Sequence, residues 1–109
     1  MAAAVAITPA SGSITHFKDA CEISATGLTA NDSTTYDSTK YPTEAAITAY
    51  FKLTCSGQPT LTSPIFASNA AGLGAWPGSV VFPAAGTWTL ALIRVSDSST
   101  IATASVTVA

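Results

Sequence analysis

Charge is what this chain has least of. Only four residues are basic and six acidic among 109, and the net charge is −2 with the histidine neutral. A nucleic-acid binder needs a concentrated basic footprint to neutralise phosphates. Lys18, Lys40, Lys52 and Arg94 stand singly along the chain, which excludes that class. Histidine is limited to His16 and cysteine to Cys21 and Cys55. One histidine and two separated cysteines lack any paired ligand spacing, so neither a metal centre nor a cofactor is expected. No apolar run approaches the length of a membrane span, so membrane insertion is not expected either.

The first residues, Met1-Ala2-Ala3-Ala4-Val5-Ala6-Ile7, carry no basic residue ahead of a short apolar stretch. That makes a poor signal peptide. With Met1 as the native start, the expectation is synthesis in a cytoplasm. With Met1 as an addition, a removed signal is allowed.

What is present in abundance is small and neutral. Alanine, threonine and serine fill 51 of the 109 positions. Threonine suits a pleated, half-buried surface, and alanine on inward positions lets two sheets approach closely. The pattern of the chain agrees. Residues 4–8 read as a first strand, ended by the turn cluster Pro9-Ala10-Ser11-Gly12, with a short continuation over 13–17. Cys21, Ile23 and Ala25 alternate with Glu22, Ser24 and Thr26, a period-two strand. Residues 31–44 are polar and read as a long exposed loop.

Ala45, Ile47, Ala49, Phe51, Leu53 and Cys55 then alternate with polar or small neighbours, and this first set is expected to face a core. Residues 61–67 fit a short edge strand, because Pro64 is tolerated there and not in a central strand. Residues 68–78 read as a second long loop, holding Leu73 and Trp76. Strands over 79–82, 87–95 and 100–108 bring the total to about seven. The expected fold class is an all-β, antiparallel, immunoglobulin-like β-sandwich, and the length fits one such domain over 1–109.

Three stretches carry a family likeness: Ile7-Thr8-Pro9-Ala10-Ser11-Gly12 leading to Ile23-Ser24-Ala25-Thr26-Gly27-Leu28; Pro83-Ala84-Ala85-Gly86-Thr87-Trp88-Thr89-Leu90; and Val95-Ser96-Asp97-Ser98-Ser99 with the terminal Thr/Val alternation. In this the chain resembles the bacterial and bacteriophage Ig-like domains, modules found on surface adhesins and phage structural proteins. The resemblance implies a corner tied to the backbone by a tyrosine hydroxyl. Trp88 takes that place here and offers bulk with one N–H donor instead.

The chemistry-bearing residues are few. His16 lies near no Ser, Asp or Cys in a recognisable nucleophile motif, so an enzyme is not expected. Asp32, Asp37 and Glu44 share the first long loop, but their spacing fits no calcium loop. Asn31-Asp32-Ser33 matches a glycosylation sequon, as chance readily supplies in a Ser/Thr-rich chain. Cys21 and Cys55 fall on the apolar phase of strands that a sandwich places on opposite sheets. Two outcomes stay open: a cross-core disulfide worth roughly 3–4 kcal/mol, or two buried thiols behaving as small hydrophobes.

Candidate partner contacts come from apolar side chains in unusual places. In the strand over 87–95, Trp88, Leu90 and Leu92 take the inward phase, but Arg94 follows them while Ile93 and Val95 fall on the other phase. Either a bulge near Ile93 shifts the register, the favoured reading, or Ile93 and Val95 face a partner. Trp76, with Leu73 nearby, is either an interface anchor or a lid folded over the sandwich end. The first strand, with Val5 and Ile7, offers backbone groups for strand addition. Tyr36, Tyr41 and Trp76 are candidate contacts for weak binding of host-surface glycans.

The family likeness and the missing secretion signal together lead to one expectation. It is a non-enzymatic bacteriophage capsid decoration protein, found on the virion and docking on the major capsid protein or another virion component. The alternatives are an Ig-like module of a phage tail or fibre, and an extracellular adhesin or stalk domain at a cell surface.

Overall fold

The computed structural model describes residues 4–28, 48–68, 72–95 and 98–109. Among these there is no helix. Eight strands follow one another: β1 (Ala4–Thr8), β2 (Glu22–Thr26), β3 (Thr48–Thr54), β4 (Leu61–Thr62), β5 (Phe66–Ala67), β6 (Gly74–Ala75), β7 (Gly86–Arg94) and β8 (Thr100–Val108). They form two antiparallel sheets packed as a sandwich. One has the order β1-β2-β6, and the other β4-β3-β7-β8 with β5 also pairing β3.

Period-two alternation explains the layers. Ile23 and Ala25 of β2 point inward against Ala49, Phe51 and Leu53 of β3, Trp88, Leu90 and Leu92 of β7, and Val106 and Val108 of β8. All of these are buried, and their polar neighbours alternate outward. The inward set expected over residues 49–53 is the set observed, while 45–47 lie outside the described residues.

Two local interruptions have clear causes. The edge segment over 61–67 is split, with β4 on Lys52 and Leu53 and β5 on Thr48 and Ala49. Pro64 lies in the gap, where it cannot donate to the ladder. Between them Ser63 accepts the Phe51 N–H through its hydroxyl at 2.8 Å and donates its own N–H to the Phe51 carbonyl at 2.9 Å. At the amino end the chain changes sheets. After β1 pairs β2 through all five residues, Thr8–Pro9 is cis, and Ile14 then bridges Val108 of the other sheet in parallel.

The expected irregularity near Ile93 exists, but on the neighbouring strand. Leu92 pairs Ala102 and Ile93 pairs Thr100, which leaves Ile101 as the extra residue on β8. Against β3 the register of β7 is unbroken, Tyr50 to Ile93 and Ala49 to Arg94. Arg94 therefore stays in the phase of Leu92 and is buried at the sandwich end.

The corner before β7 is held by Trp88. Its indole is fully buried, tilts against Phe82 with centroids 5.4 Å apart, and donates Nε1–H to the Ala84 carbonyl at 3.1 Å. The indole N–H thus ties this corner to the backbone. Replacing Trp88 by Phe should remove this bond and part of the packing and lower stability by about 1–2 kcal/mol. Trp88→Ala should cost about 3–5 kcal/mol. Urea denaturation at constant m-value checks both. A Phe variant as stable as the parent would show that the corner is held by bulk alone.

Candidate docking surface

The sequence-derived contacts are redistributed by the fold. Val5 and Ile7 turn inward from β1 and pack half-buried on the core. The first strand is not unpaired; it is fully paired along one edge and forms the border of its sheet. Ile93 is only 8% exposed, so it is not a surface contact, and Val95 remains exposed. Tyr36 and Tyr41 lie outside the described residues, as do Asn31, Asp32, Asp37 and Glu44.

Trp76 is corrected most. The expected loop over 68–78 contains β6, and Trp76 continues its pairing by donating its N–H to the Ile23 carbonyl at 2.9 Å. The indole stacks on Phe51 at 6.3 Å and 14°, while Phe66 stacks on the same ring at 5.2 Å and 22°. Trp76 thus serves the flank of the sandwich and is only half-buried there. Gly74 completes this flank, because the Phe66 ring occupies the space a Cβ would need. Sequence inspection misses this, since nothing in Gly-Leu-Gly-Ala signals an aromatic ring lying over it.

Cys21 and Cys55 lie on opposite sheets, as expected, and both are free thiols. Cys21 is fully buried beside its bridge to Val80, and its thiol donates weakly to the Asp19 carbonyl at 3.7 Å. Burial first, and the charge of Asp19 second, push its pKa up. Cys55 is half-buried.

Five large apolar side chains among the described residues are exposed. Phe17 and Val81, exposed by 73% and 47%, lie at the end where Cys21 bridges Val80; Leu73 and Val95 lie toward the opposite end, and Ile65 lies along the edge beside β3. Phe17 is the most unusual residue of the set. Its φ is +58°, a left-handed conformation costing a bulky residue about 1–2 kcal/mol. The turn that imposes it is braced on both sides. Phe17 donates its N–H to the Phe82 carbonyl at 3.0 Å, and His16 donates its N–H to the Ala109 carbonyl at 3.0 Å. The Asp19 carboxylate accepts the Thr15 N–H at 2.7 Å, and the His16 ring lies 5.2 Å from the phenyl. The backbone beneath an exposed aromatic side chain is thereby fixed. Neither Phe17 nor Val81 was legible as a surface feature: both fall in segments expected to be strands, 13–17 and 79–82, where the structure has only the single bridges of Ile14 and Val80.

Towards the other end, a groove of about 540 Å³ runs between the flanks of the two sheets. Ala25, Phe66, Ala67, Leu73, Gly74 and Ala75 line most of it, with Ser24 and Thr26 on one side. A second, more polar and more enclosed depression of about 520 Å³ lies beside Glu22, Ser24, Trp76 and Ser79. Among the described residues no group of three or more His, Cys, Asp or Glu side chains is placed to hold a metal ion.

Two outcomes check this surface chemistry. Gly74→Ala should force the Phe66 ring off its site and lower stability by about 1–3 kcal/mol, read from the denaturation midpoint. In a thiol-reagent assay on the folded protein, Cys55 should react first and Cys21 only as fast as the chain unfolds. The raised Cys21 pKa has a definite sign. Above the ordinary thiol range of about 8.5 the unfolded chain releases a proton that the folded chain keeps, so this group's stabilising effect is intact below that range and fades as pH rises through it. The midpoint of Cys21→Ala should accordingly fall less between neutral and alkaline pH than the parent's.

No protein-family model, curated protein or solved structure matches the chain.

Proposed function

We propose that this chain is a non-enzymatic structural and interaction protein with an Ig-like sandwich, acting as a bacteriophage capsid decoration protein on the virion. The observation that carries the reading is the distribution of exposed apolar surface. It includes Phe17 and Val81 at one end of the two-layer body, where an exposed aromatic side chain stands on a strained turn whose backbone is braced by hydrogen bonds. Strained residues persist where the surrounding structure holds them, and they cluster at binding sites. Rigid aromatic anchors reduce the entropy lost on docking. A body with several separate exposed apolar side chains suits a repeating lattice, where each copy meets more than one neighbour.

The Ig-like part of the reading is supported by connectivity. A strand that crosses from one sheet to the other near Pro9, and an aromatic tie at the corner before β7, are both features such sandwiches use. The partner is the major capsid protein or another virion component, engaged through side-chain packing with little electrostatic steering, since charged residues are few.

Quantitative mass spectrometry of density-purified particles tests the proposal. The expected result is a copy number matching the lattice sites of the shell. A handful of copies per particle would move the protein to the tail. Absence from particles, with the protein at a cell surface or in the medium, would overturn the virion reading in favour of an adhesin or stalk domain.

A further inference from the structure

We draw no further inference here: the strongest candidate, the exposed Phe17 and Val81 at the end of the sandwich where Cys21 bridges Val80, belongs to the docking surface already described, and nothing in the structure shows what covers it.

Discussion

The burial of Trp88 is the interaction on which the arrangement turns. Its indole fills the core end between the two sheets, leans on Phe82 and ties down the Ala84 carbonyl. With the corner so fixed, the Phe82 carbonyl stands where it accepts the Phe17 N–H. Through that one acceptor, the packing of the largest buried side chain is linked to the presentation of the most exposed apolar one. Core and surface are coupled by backbone hydrogen bonds.

The opposite flank is organised by aromatic stacking. Phe66, Phe51 and Trp76 lie nearly parallel, and Gly74 leaves room for the outermost ring. This stack closes one side of a sandwich whose edge strands are short there, only two residues each in β4, β5 and β6. Short strands contribute few ladder bonds, so ring packing carries more of the cohesion. The same rings shape the groove beside Leu73, so the flank is both wall of the core and part of the surface.

Strand phase was legible wherever burial alternates. Ala49, Phe51 and Leu53, then Trp88, Leu90 and Leu92, were readable as inward sets because a two-residue period leaves little alternative once one face is apolar. Pro64 announced an edge, and the edge is split around it. The reading failed where alternation gives no guidance. Trp76 looked like a loop residue because glycines surround it, yet those glycines allow β6 to pair β2 and Phe66 to lie close. Val5 and Ile7 looked available because a first strand has no earlier partner, yet β2 covers their strand along one edge and their side chains face inward. Ile93 and Arg94 stand on opposite phases and both are buried, which no single-strand pattern can express.

The amino-acid sequence by itself determined the all-β character of the described residues and which phase of the longer strands faces inward. Those properties follow from local period and composition, and each needs only neighbours in sequence. The tertiary structure decided which side chains are left in water. Phe17 is exposed because Phe82 and Ala109, far away in sequence, accept the hydrogen bonds that hold its turn open, and the groove exists because Phe66 and Gly74 meet across two sheets. Exposure is a property of the whole packed body, and that is the reason the surface had to wait for the fold.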